Sequence, residues 1–247
     1  MWTWLHRLAS PPSFYRFAER AAPIFGWLAA VLAVGGLYGG LVLAPPDYQQ
    51  GEAFRIIYVH VPSAWLSLLT YTLMATAGAI ALIWRIKLAE CVLVSAAPVG
   101  ASFTALALAT GMLWGKPMWG AFWVWDARLT SELVLLFLYL GVIALNQALL
   151  DPRAGARACA LLAVVGVVNV PIVHYSVEWW NSLHQGPTVT RMDKPAITWD
   201  MLWPLLTMTL AFSCFLGWAL IRRAQVELLQ RERSSQWVRE LPELARV

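Results

Sequence analysis

Six long apolar runs divide the chain, at residues 22–44, 62–84, 92–113, 129–150, 158–177 and 200–221. A helix needs about 20 apolar residues to cross a bilayer, and each run has close to that length. The runs are continuously apolar rather than alternating, which excludes a transmembrane β-barrel. Backbone polar groups in lipid must find partners within their own segment, so each run is read as a helix. The pattern predicts an all-α polytopic membrane protein with six transmembrane helices. Residues 1–221 form one membrane domain, and residues 222–247 form a charged, partly amphipathic tail. The links at 85–91 and 151–157 are short, which predicts antiparallel neighbouring helices. Gly35, Gly36, Gly39 and Gly40 place two small-residue pairs on the first helix, where another backbone can approach closely.

The distribution of Lys and Arg orients these helices. Arg7, Arg16, Arg20, Arg85, Lys87, Arg153, Arg157 and the arginines from Arg222 onward fall on one side, leaving Arg55, Lys116, Arg128, Arg191 and Lys194 on the other. Both termini are therefore expected in the cytoplasm, with the loops near 45–61, 114–128 and 178–199 facing out. Hydrophobic residues make up 60% of the chain and charged residues 13%, about half the usual charged share. The net charge of +4 then reads as a topology signal, and no nucleic-acid partner is expected; the lipid bilayer is the surface this composition suits. The first span is too long for a signal-peptide core and is read as an uncleaved helix. Cys91, Cys159 and Cys214 lie in separate spans without a CxxC spacing, so they are expected to be apolar packing residues.

The unusual chemistry lies in the three outward loops. The second carries Trp114, Trp119, Trp123 and Trp125, four of the chain's 15 tryptophans, together with Lys116, Asp126 and Arg128. Indoles suit a membrane interface, and Trp27, Trp65, Trp84, Trp203 and Trp218 need no other reading. A belt, however, does not require Trp-Gly twice and Trp-x-Trp-Asp-x-Arg within one loop. Flat aromatic surface at low rotamer cost suits a large planar ligand. His60 sits in the first loop just before Pro62, and His184 sits past the fifth span, so the topology places both at one depth beside the tryptophans. Paired imidazoles are axial ligands for haem iron. Arg128, Arg55 and Lys116 are candidates for the propionates, since guanidinium pairs bidentately with carboxylate, and Asp126 and Glu132 are candidates to orient Arg128. His174, inside the fifth span, is read as an interhelical hydrogen-bonding residue. His6, in the N-terminal segment, is read as solvated.

The segment WGKPMWGAFWVWDARLT, from Trp114 to Thr130, closely resembles the tryptophan-rich WWD motif of haem-handling membrane proteins. RIIYVHVPSAW around His60 and NVPIVHYSVEWWNSLHQG around His184 resemble the CcmC branch, the haem exporter protein C family. The resemblance covers most of the chain. It implies binding of haem b (iron protoporphyrin IX) at the periplasmic face of the bacterial inner membrane. It further implies presentation to the haem chaperone CcmE, which binds haem covalently, beside the small membrane protein CcmD and the CcmA–CcmB ABC transporter. In the resemblance His60 and His184 match the family's two outer-loop histidines, the expected iron ligands, and the tryptophan motif matches Trp114 through Thr130, so Trp114, Trp119, Trp123, Trp125, Asp126 and Arg128 are expected around the haem, with Arg55 added by its charge and place in the first loop.

No catalytic triad or dyad is evident, so the expected role is positioning of haem rather than catalysis by the protein's own residues. Two alternatives remain open at this point. A haem transporter needs a polar route through the helices, for which Ser102, Thr104, Asn146, Gln147, Asn169 and His174 are scattered candidates. A cytochrome b-type electron-transfer subunit would carry its histidine pair inside the spans rather than in loops.

Overall fold

The apolar runs do form helices, and most of the helices outlast the runs that specify them. The structure is a computed structural model that describes residues 10–180, 182–184, 186 and 196–241. Helix α1 (Pro11–Tyr38) runs on into a π-helical turn at Gly39–Leu43. A 3-10 turn (Glu52–Ile56) leads into α2 (Ile57–Trp84), and α3 spans Lys87–Trp119. After a non-helical connection come α4 (Ala127–Ala148), α5 (Pro152–Gly166), α6 (Asn169–Trp179), α7 (Trp199–Arg231) and the short α8 (Gln236–Arg239). The α5–α6 pair forms one span, so among the described residues six helical segments are long and apolar enough to cross a membrane. Among the described residues there is no β-strand, only an isolated bridge between Asp47 and Gly51.

Helices α2 and α3 form the centre of the bundle. They pack on each other, with α4, α5 and α6 on one side and α7 on the other, and α1 packs along α7 at the periphery. The main core joins Tyr71 and Met74 of α2, Leu93 and Ala97 of α3, Leu135 and Tyr139 of α4, and Cys159 and Ala160 of α5. Tyr71 and Tyr139 meet edge to face at 5.0 Å, a favoured aromatic arrangement. The three cysteines are free and buried, as packing residues should be. Three of the four glycines expected to allow close approach do so, and Gly35 faces open space. A Cβ on Gly36 would strike Met208, one on Gly39 would strike Trp203, and one on Gly40 would strike Tyr58. Close helix approach through small residues replaces the hydrophobic force that is absent between helices in lipid.

Several hydroxyls inside the spans are satisfied locally. Thr72, Thr104, Thr207 and Ser213 each donate to the carbonyl four residues back, at 2.7–2.9 Å, which keeps these four hydroxyls satisfied within their own helix; among the described residues, Thr70, Tyr58 and Tyr71 are buried without a partner for their hydroxyls. The end of the bundle opposite the tryptophan loop carries ion pairs: Arg231 with Glu90 and Glu227 at 2.8 and 2.7 Å, Arg222 with Glu19 at 2.9 Å, and Lys87 with Glu232. These pairs explain why α7 continues to Arg231, ten residues beyond its apolar run. Its charged last turns are held against the start of α3 instead of separating as a loose tail.

Candidate functional site

The third span does not end where its apolar run ends. Helix α3 continues through Trp114, Lys116 and Pro117 to Trp119, so Trp114 and Trp119 stand on its last turns rather than in a loop. Gly120 stops the helix with a left-handed φ of 76°, and its N–H caps the Lys116 carbonyl, the geometry for which glycine is favoured. Residues 121–126 then cross to α4, where Asp126 is the N-cap: its Oδ1 accepts the Leu129 N–H at 2.8 Å. An N-cap carboxylate satisfies one of the free N–H groups of the first turn. Across the bundle end, the 3-10 turn at Glu52–Ile56 places His60 in the first turns of α2. His184 lies in the segment that follows α6.

These elements enclose one cavity of about 340 Å³, within the size range of small-molecule sites. His60 and His184 both line it, with Trp114, Trp119, Arg128 and Glu132. Each imidazole rests against one indole. His60 meets Trp114 at a centroid distance of 5.6 Å, and His184 meets Trp119 at 4.7 Å, both edge to face. Trp114 is in turn fixed by donating its indole N–H to Gln50 Oε1 at 2.8 Å.

Each histidine also has its Nδ1 committed to an acceptor. His60 Nδ1 lies 3.0 Å from Thr110 Oγ1. The Thr110 hydroxyl already donates its one hydrogen to the Leu106 carbonyl at 2.6 Å. It can therefore only accept from His60, which puts the imidazole proton on Nδ1 and leaves Nε2 with a lone pair. Gly111 makes room for this ring, since a Cβ there would lie 3.1 Å from His60 Cε1. His184 Nδ1 lies 2.7 Å from Asp126 Oδ2, which also accepts from Ser182 Oγ at 2.6 Å. Burial alone would raise the Asp126 pKa; the hydrogen bonds from Ser182 and Leu129 and the nearby His184 outweigh it and hold the carboxyl below its ordinary range. Burial, the largest effect, with Arg128 nearby, holds the His184 pKa below its ordinary value against the raising effect of Asp126, and the neutral ring that donates Nδ1–H to the carboxylate keeps its lone pair on Nε2. A carboxylate behind an imidazole is the arrangement that orients metal-ligating histidines.

Arg128 lines the same cavity, and its Nε is buried without a hydrogen-bond partner. Glu132 and Asp126 are close enough to affect it electrostatically, yet among the described residues it closes no ion pair. A cation in this condition suits an anionic group on a ligand. The donor set therefore fits haem: two imidazoles whose Nε2 atoms have no partner among the described residues, indole surface beside each, and one guanidinium whose buried Nε has none.

Other expected residues stand elsewhere. Trp123 and Trp125 do not line the cavity. They pack together at 5.3 Å and cover a shallow apolar groove over Ala105, Ala109 and Met112 of α3 and Leu133 and Leu136 of α4, which adjoins the cavity at Leu108. Asp126 lies behind His184 instead of on the cavity wall. Arg55 pairs with Glu52 and donates to the Gly40 carbonyl at 2.7 Å, tying the 3-10 turn to α1. Lys116 bonds the Gly120 carbonyl at 3.0 Å and lies over the Phe122 ring. His174 lines the cavity rim next to Tyr175. Arg191 and Lys194 fall outside the described residues. Sequence reasoning did not find Thr110, Gly111 or Ser182. A threonine and a glycine inside an apolar run carry no chemical signal until the fold sets them against His60.

Known proteins resemble this chain over nearly its full length. Residues 4–239 match the family described as Heme exporter protein C. The chain is 48% identical over 241 residues to Heme exporter protein C of Haemophilus influenzae, covering 98% of each chain. It is 49% identical over 248 residues to Heme exporter protein C of Escherichia coli strain K12, covering 98% of this chain and 97% of that one. A ccmC-like mitochondrial protein of Marchantia polymorpha, named for cytochrome c biosynthesis, is 42% identical over 193 residues, with 78% and 80% of the two chains covered. The chain belongs to the Heme exporter protein C family.

Proposed function

We propose that this member of the Heme exporter protein C family handles haem for cytochrome c maturation by holding it in the cavity between His60 and His184. The observation that carries the reading is the matched pair of imidazoles on one cavity, each with Nδ1 given to an acceptor and Nε2 left free. Imidazole nitrogen is a common axial ligand of haem iron. Bis-histidine ligation would leave no open iron position and suppress stray oxygen chemistry while the haem is held. Trp114 and Trp119 would cover the ring beside the two ligands, and Arg128 would receive a propionate. Trp123 and Trp125 would stand at the cavity's outer edge, where an incoming acceptor meets the haem.

In this reading the loop end of the bundle faces the periplasm and the ion-paired end faces the cytoplasm of a bacterial inner membrane, as the bias of Lys and Arg supports. The acceptor is the haem chaperone CcmE, with CcmD beside the bundle and CcmA–CcmB driving release of the loaded chaperone. The protein supplies position and orientation, and the covalent chemistry belongs to haem and chaperone.

Haem-loaded protein in sealed vesicles, with soluble chaperone outside and a haem-binding reporter inside, tests the proposal. Haem resistant to denaturation should appear on the chaperone, read by haem staining of a gel. Haem that reaches the internal reporter while the chaperone stays unloaded would contradict presentation and favour transport.

A further inference from the structure

Glu132 is a carboxylate buried inside the membrane bundle, only 7% exposed. It lines the same cavity as Arg128, which stands four residues earlier on α4. An ionisable group at such a position is costly, and those that persist inside membrane proteins serve function. The hydrogen-bond partner of Glu132 is the Ser67 hydroxyl of α2, 2.8 Å from Glu132 Oε1 and also 2.8 Å from the Ala64 carbonyl. That segment of α2 is fixed by the Tyr139 phenol, which donates to the Ser67 carbonyl at 2.7 Å.

Arg128 and Glu132 have the i, i+4 spacing at which opposite charges on a helix meet. They do not close an ion pair. Ser67 holds the carboxylate back, and the guanidinium keeps a buried nitrogen without a partner. The carboxyl group and the guanidinium therefore both line the cavity, near each other but not joined.

We infer that Glu132 is a positioning residue that competes with the carboxylate of the bound molecule for Arg128, and so keeps that molecule exchangeable. The inference rests on the haem reading above. A guanidinium alone would grip a propionate in a strong bidentate pair, which suits storage but hinders hand-over. With Glu132 one helical turn away on α4, a departing propionate leaves Arg128 with a replacement anion instead of an uncompensated buried charge. The bound state is weakened by the second carboxylate, and the emptied state is stabilised by it.

The test follows loss of haem from the full-length, haem-loaded protein in detergent to excess apomyoglobin, by the change in the Soret band. Glu132→Gln should lose haem roughly tenfold more slowly than wild type, and Glu132→Asp should stay within about twofold of it. Arg128→Gln should lose haem faster. In the Arg128→Gln background the effect of Glu132→Gln should largely vanish, the non-additivity expected of groups that act on each other. Ser67→Ala frees Glu132 to reach Arg128 and should speed haem loss, and this arm alone decides if Glu132→Gln does not fold. Haem loss from Glu132→Gln as fast as wild type at unchanged thermal stability would overturn the inference. So would an equal effect of Glu132→Gln with and without Arg128. Wild-type protein that takes up no haem would overturn the haem reading beneath it, a result visible before any rate is compared.

Discussion

Replacing Asp126 separates two roles that one side chain performs. Its Oδ1 caps α4 through the Leu129 N–H at 2.8 Å, while its Oδ2 takes hydrogens from His184 Nδ1 at 2.7 Å and Ser182 Oγ at 2.6 Å. Asn is as good an N-cap as Asp, so Asp126→Asn keeps the first function. Its amide nitrogen would then stand where Oδ2 stood, and it cannot accept from either donor. The imidazole must rotate away or move its proton to Nε2, the atom assigned to iron. Loss of such a partner behind a ligating histidine costs 10–100-fold in metal affinity, or about 1.4–2.8 kcal/mol. Asp126→Ala loses the cap as well, at about 1 kcal/mol of stability. Titration of the purified protein with haem, followed by absorbance and paired with thermal unfolding, reads both quantities. The expected result is weak haem binding in both variants with loss of stability confined to Asp126→Ala. Asp126→Asn binding haem as wild type does would refute the assignment of Asp126 as the partner of His184.

Further outcomes follow from the same geometry. Thr110→Val is nearly the same shape but removes the acceptor that sets the His60 tautomer, so haem affinity should fall roughly tenfold, measured by the same titration. Gly111→Ala should move affinity and stability in opposite directions. A Cβ 3.1 Å from His60 Cε1 displaces the ligand, whereas replacing a mid-helix glycine adds about 0.5–1 kcal/mol to helix stability. Trp125, which is 77% exposed and outside the cavity, should behave differently from Trp119. Trp125→Ala should keep haem content and lose chaperone loading, whereas Trp119→Ala should lose haem itself, as judged by haem content after purification and by haem staining of the chaperone.

The spans were legible because a continuous apolar run of that length has only the helix as a way to satisfy its backbone in lipid. Helix ends were less legible. The chemistry of Lys116 and Pro117 suggests a loop, yet α3 persists to Trp119 because Gly120 supplies the left-handed stop and nothing before it forces an earlier end. The sequence also marked the histidines and tryptophans as belonging together, and the fold does bring His60, His184, Trp114 and Trp119 to one cavity. It could not sort the tryptophans, because which side of the α3–α4 connection each indole faces depends on the path of residues 121–126. Nor could it pair Asp126 with His184, 58 residues apart. Such a contact exists only once α6 has returned the chain to the bundle end. Arg55 shows the converse: a cation in the right loop was a fair propionate candidate, and the 3-10 turn uses it instead to hold Glu52 and Gly40.

The central claim is that iron is held by one histidine from α2 and one from the segment after α6. The most direct test is the low-temperature electron paramagnetic resonance and visible spectrum of haem-loaded protein, recorded for wild type, His60→Ala and His184→Ala. Wild type should give a low-spin, bis-histidine signal. Each single variant should lose it and give a five-coordinate, high-spin haem that added imidazole restores. A bis-histidine signal that survives unchanged in both variants would contradict the account.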